Sequence, residues 1–157
     1  MKTYLKLISL LTISLLLSSF SNIKLDAGDK IILTKLYVNK STNPSLHESI
    51  SIYDNGSINY EIKEGSQSKI PVSGKLTKDQ LSKLKKLLNR SSFKYLDRSY
   101  KCDNEISDAG NFLFVINLPS ASKNIHVQEG CAMPKDLKKL DDYLVNEIIT
   151  KIGQDKN

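Results

Sequence analysis

Tryptophan is absent from these 157 residues, and cysteine, histidine and methionine occur only twice each. So few nitrogen and sulfur ligands leave little for a zinc centre, which takes three or four of them. There is no HExxH, no GxSxG, no glycine-rich phosphate loop and no CxxC pair. The local signatures of zinc peptidases, α/β-hydrolases, nucleotide binders and thiol oxidoreductases are therefore all missing. A hydrolytic triad needs a histidine beside a nucleophile and a carboxylate. His47 falls at the start of a predicted strand and His126 inside another, and nothing local gives either of them those partners. The chain is read as non-catalytic, without cofactor or metal, and a hydrolase using His47 or His126 is the contrasting class.

Long apolar runs are also missing, except at the start. Met1 to Lys6 is a short basic opening, and Leu7 to Leu17 is uncharged and apolar apart from Ser and Thr. Small residues follow at Ser18, Ser19 and Ser21. Basic, apolar and small-residue parts in that order predict a secretory signal peptide over 1–27, cleaved after Ser21 or Ala27. Leu7 to Ile23 is 17 residues, the lower limit for a spanning helix, so an uncleaved anchor is the alternative. No cysteine stands near the end of the apolar run to take a lipid. The expected location is secreted, periplasmic or at the cell envelope, with no membrane association after cleavage.

The export reading changes how charge and cysteine are weighed. The whole chain carries +6, and +4 remains once Lys2, Lys6, Lys24 and Asp26 leave with the leader. The lysines are scattered over predicted helical faces rather than grouped in a run with interleaved aromatics. They read as solvated faces, and no nucleic-acid partner is expected. An even cysteine count in an exported domain favours a structural disulfide, Cys102 to Cys131.

The remaining chain, 28–153 with a frayed tail at 154–157, is long enough for one domain with a single core. Strands are expected at 30–38, 48–53, 57–63 and 69–73. Asp54-Asn55-Gly56 predicts a tight hairpin of type I′, and Pro71 puts the fourth strand at an edge. Thr77-Lys78-Asp79-Gln80 is a capping box opening a helix with Leu81, Leu84, Leu87 and Leu88 as its buried stripe. Phe112 to Leu118, almost wholly apolar, predicts a central strand, and 123–129 its return. Pro134 opens a last helix carrying Leu137, Leu140, Leu144, Ile148 and Ile152, with Gly153 as its stop. The order ββββ-α-ββ-α with short connections gives an α+β fold, an antiparallel sheet of about five to six strands with two helices on one face.

Two loops are the candidate binding surfaces, Asn39 to Leu46 and Asp97 to Asn111. The second holds Asp97, Asp103, Glu105 and Asp108, pinned by Cys102. Its Asp103-Asn104-Glu105 and Asp108 oxygens suit calcium in type but not in EF-hand spacing. It is read as a solvated acidic loop and not as a metal site.

Ile52, Asp54, Gly56, Tyr60, Gly74-Lys75-Leu76, Phe93, Leu96, Tyr100, Ser107-Asp108 and Pro134 together resemble the pattern of a small exported bacterial domain family of unknown function, over residues 31–150. That family often carries C-x-G-x-C-P before its second strand, where this chain has Asn43-Pro44-Ser45-Leu46. The layout is also similar to emfourin-type inhibitors of thermolysin-like metalloproteases, although Val38-Asn39-Lys40-Ser41 stands where they have a glycine-rich segment. Neither resemblance transfers a functional residue. The expected function is binding of another macromolecule, a protein, in the envelope or outside the cell. Metalloprotease inhibition and a membrane-anchored surface protein are the alternatives.

Overall fold

A computed structural model describes residues 30–39, 41–68, 71–90, 92–102, 109–118 and 121–154. The predicted leader lies outside them. The elements in chain order are β1 (Ile31–Asn39), β2 (Leu46–Tyr53), β3 (Ser57–Glu64), β4 (Gln67–Ser68) and β5 (Val72–Lys75), then α1 (Lys78–Leu88) and α2 (Ser92–Tyr95). β6 (Ser99–Tyr100), β7 (Asn111–Leu118) and β8 (Ala121–Gln128) follow. The chain closes with α3 (Lys135–Tyr143), a π-helical segment (Leu144–Ile149) and α4 (Thr150–Gln154).

The strands form one sheet of order β4-β3-β2-β1-β7-β8-β6, with β5 also paired to β3. Every pair is antiparallel except β6 with β8, which is parallel. Alternation decides which face is covered, because successive side chains point to opposite sides. Leu33, Lys35 and Tyr37 of β1 stand opposite Ile116, Phe114 and Phe112 of β7 and opposite Ile52, Ile50 and Glu48 of β2. This face meets Leu84 and Leu88 of α1 and Leu137, Leu140, Leu144 and Ile148 of the last helix in one apolar cluster. Each such side chain, fully buried, contributes roughly 1.5–3 kcal/mol. The fold is α+β, with the helices on one face, as the sequence pattern predicts.

Several details differ from the expectation. The sheet has eight strands because β4 and β6, two residues each, are too short to carry an alternating pattern. The expected strand at 69–73 pairs instead at 72–75, beyond Pro71, so that Val72 opposes Tyr60. The β2–β3 connection is not type I′, since only Gly56 has positive φ, at 87°. Gly56 N donates to Tyr53 O at 3.0 Å, which makes a three-residue loop ending on a left-handed glycine. The last helix starts one residue after Pro134 and runs past Gly153 to Gln154.

The α1 capping box is present in both directions. Gln80 N donates to Thr77 Oγ1 at 3.2 Å, and Thr77 N donates to Gln80 Oε1 at 2.9 Å. The same Gln80 side chain donates through Nε2 to Glu147 O at 3.0 Å, while Tyr143 OH donates to Gln80 O at 2.9 Å. Glu147 lies in the π segment, whose wider turn presents main-chain carbonyls to neighbours. Thr150 N and Oγ1 both turn back to Val145 O, the side-chain bond at 2.7 Å. α1 is thus keyed to the last helix by one glutamine and one tyrosine.

Candidate functional site

Strand register gathers the long connections at one end of the sheet. Asn39 opposes Leu46, and Leu46 opposes Glu64. Val38 opposes Asn111, Asn111 opposes Gln128, and Tyr100 runs beside Val127. The segments 40–45, 65–66, 101–110 and 129–134 therefore all leave from this end.

The first of them is held by its own side chains. Asn39 Oδ1 accepts from Ser41 N at 2.9 Å and Ser41 Oγ at 2.6 Å. Thr42 Oγ1 donates to Asn39 O at 3.2 Å and accepts from Leu46 N at 3.1 Å. Short polar side chains bonding to nearby backbone are what fix such a turn. Gly65 N donates to Ser45 O at 2.8 Å, and Asn43–Pro44 is a cis peptide.

The segment 101–110 is closed at both ends on the turn after β8. Cys102 and Cys131 are joined, with S–S 2.04 Å. On the other side Gly110 N donates to Glu129 Oε2 at 3.0 Å, and Glu129 N donates to Gly110 O at 2.8 Å. Tyr37 OH donates to the same Oε2 at 2.9 Å and accepts from Asn39 Nδ2 at 3.2 Å. The phenol titrates above its ordinary range: burial is the largest cause, Asn39 opposes it, and the Glu129 carboxylate adds to it. Glu129 thus ties β1, the start of β7 and the turn after β8 into one knot, and Asn39 links that knot to the first loop.

Inward from the knot the chemistry becomes mixed. Tyr37 lies 4.8 Å from Phe112, ring to ring. The Lys35 ammonium sits over Phe112 at 5.1 Å and Phe114 at 5.9 Å and touches Asp141 of α3. Glu48 accepts from Tyr60 OH at 3.0 Å, and burial, followed by the Glu48 charge, pushes that phenol strongly up.

Of the expected site residues, Asp103, Glu105 and Asp108 lie outside the described residues. Asp97 is exposed and stands before β6, with its N–H donating to Tyr100 OH at 2.7 Å. The stretch 97–111 is therefore not one loop, because β6 interrupts it and separates Asp97 from the cysteine end. His47 and His126 both face the side of the sheet away from the helices, opposite Val38 and Leu113. β1 and β7 lie between their strands, so about 14 Å of sheet separates them. Among the described residues no group of three or more His, Cys, Asp or Glu is placed to hold a metal ion, and no helix is long and apolar enough to cross a membrane.

Sequence reasoning missed Lys35, Tyr37, Gly110, Glu129 and Asp141. The signal for Lys35 was readable: Leu33, Lys35 and Tyr37 share the alternate row that faces the core. Gly110 and Glu129 carried no local signal, since their meeting depends on β7–β8 register.

The matched positions run from β2 through the π segment: the family model for a domain of unknown function (DUF6438) covers residues 47–148. The chain belongs to that family. No curated protein matches it. The DUF6438 match takes in the capping box, both cysteines, Gly110, Glu129 and Asp141, whereas β1, with Lys35, Tyr37 and Asn39, precedes it. Half of the Glu129 knot in this DUF6438 domain thus comes from a strand ahead of the matched segment.

Proposed function

We propose that the chain is an exported binding domain that acts on another protein in the envelope or outside the cell, without chemistry of its own. The observation that carries this reading is the double closure on the turn Glu129–Cys131. A disulfide on one side and the Gly110–Glu129–Tyr37 bonds on the other hold the sheet end where the long connections emerge. Surface segments fixed in advance lose less conformational freedom when a partner docks, which favours affinity. The signal-like start, together with a cysteine pair of the kind kept in oxidising compartments, supports export.

The test is fractionation of the native culture with mass measurement of the product, followed by recovery of its bound protein. A leader-free product whose partner is released by Ser41→Ala/Thr42→Ala, but not by His126→Ala on the open face, is expected. Retention in the cytoplasm, or a partner indifferent to the sheet end, overturns the reading; a retained leader identifies the anchored surface protein instead. Inhibition of a thermolysin-like metalloprotease is a specific version, favoured by the same stapled end. It requires stoichiometric loss of protease activity, and no effect across a panel of such proteases removes it.

A further inference from the structure

We propose that Lys35 and Asp141 are the two halves of an intramolecular isopeptide bond joining β1 to α3. Lys35 is the one buried charged residue among the described residues, 7% exposed. Its Nζ meets Asp141 Oδ1, with side chains 9% and 19% exposed. The contact does not have hydrogen-bond geometry: Oδ1 is buried and accepts no hydrogen bond. An ammonium serving only as an ion-pair partner would align a proton with a carboxylate lone pair. Here Nζ touches Oδ1 without making that bond. An ion pair buried in this way gives up hydration without gaining good hydrogen bonds, which is unfavourable. A neutral amide removes both charges.

The surroundings fit the reaction. Phe112 and Phe114 lie beside the amine and exclude water, which opposes hydrolysis of the product. Transfer of one proton within the pair gives the neutral amine and the carboxylic acid. Nζ then attacks Cγ; the N–C bond forms, the Cγ–O bond breaks, and the hydroxyl leaves with a proton from nitrogen as one molecule of water. No oxidant, reductant or cofactor enters. We assign the carrying of that proton to Glu48, the carboxyl that lines the same crevice as Lys35 and accepts from Tyr60 OH. Holding both groups in one site raises their effective concentration by orders of magnitude over free reactants. The inference stands apart from the binding reading, because it concerns the frame and not the partner.

The experiment is the intact mass of the purified, reduced and unfolded wild-type chain, with proteolytic mapping. The expected result is a chain lighter by one water than its processed sequence, and one branched fragment containing both Lys35 and Asp141. Lys35→Arg and Asp141→Ala are expected to restore the full mass, and Glu48→Gln to slow the loss of water. Full mass and separate Lys35 and Asp141 fragments from the folded wild type overturn the proposal. That measurement decides even if the variants fail to fold.

Discussion

Replacing Gly110 by alanine tests the Glu129 knot most directly. A Cβ at this position would lie 2.5 Å from Glu129 Oε2, 2.6 Å from Tyr37 Cε2 and 2.7 Å from Tyr37 OH. No positive φ is involved, so the whole penalty is steric and polar rather than conformational. Crowding a packed site costs about 1–3 kcal/mol. Moving the carboxylate aside also weakens the bonds from Gly110 N and Tyr37 OH, and a hydrogen bond to a charged group contributes about 1.5–3 kcal/mol. Glu129 is only half-buried, so water replaces part of that loss. The expected destabilisation is about 2–4 kcal/mol, combining those two effects. Urea unfolding followed by circular dichroism reads it as a lower midpoint at unchanged slope. Glu129→Ala removes the nearest clash and the carboxylate bonds at stake but leaves the Tyr37 ring, so Gly110→Ala should be milder, though not neutral, in that background. A Gly110→Ala variant within about 0.5 kcal/mol of wild type, the range of an ordinary surface change, refutes this account. So does an equal penalty with and without Glu129.

Three further perturbations follow from the same structure. Removing the disulfide by Cys102→Ala/Cys131→Ala, with a separation of 29 residues, should lower unfolding free energy by about 3–4 kcal/mol in the chain-entropy model, and thermal unfolding with and without reductant checks it. Gln80→Ala removes half the capping box and the bond to Glu147 O, for about 1–2 kcal/mol; backbone amide exchange should rise at both the α1 start and the π segment. Tyr60 has a folded-state pKa raised by burial, so its contribution is complete below the unfolded value of about 10 and disappears as pH rises through the folded one. Tyr60→Phe should therefore flatten the alkaline fall in stability above about pH 10, and an unchanged slope counts against a buried, proton-retaining Tyr60.

What the sequence made legible was whatever rests on short-range pattern. The Thr77–Gln80 box, the Leu84 and Leu88 stripe, and the alternation at Ile50–Ile52 and Ile58–Tyr60 all reappear where periodicity puts them. The parallel strand β6 was not legible: two residues carry no alternation, and the pairing of Ser99 and Tyr100 with His126 and Val127 is set by tertiary register. The π segment left a trace that went unread. Leu140, Leu144, Ile148 and Ile152 repeat in steps of four, longer than the 3.6 of an α-helix, and the wider turn keeps them all on the core. The Glu129 knot needed two strands and a turn to meet, which no window along the chain contains. The Lys35–Asp141 contact joins distant elements, but its lysine betrayed itself by standing in an apolar row.

The strand order has a consequence for how the molecule resists misassembly. β1 and β7, IILTKLYVN and NFLFVINL, are the segments richest in β-formers, and they sit side by side in the middle of the sheet. The rims are built from β6 and β4, two residues each, and from β5, four residues long and preceded by exposed Pro71. Among the described residues, a neighbouring molecule seeking to add a strand finds Ala121–Ile125 of β8, beyond the two positions that β6 pairs, as the longest rim to copy, while the two most adhesive stretches already hold one another.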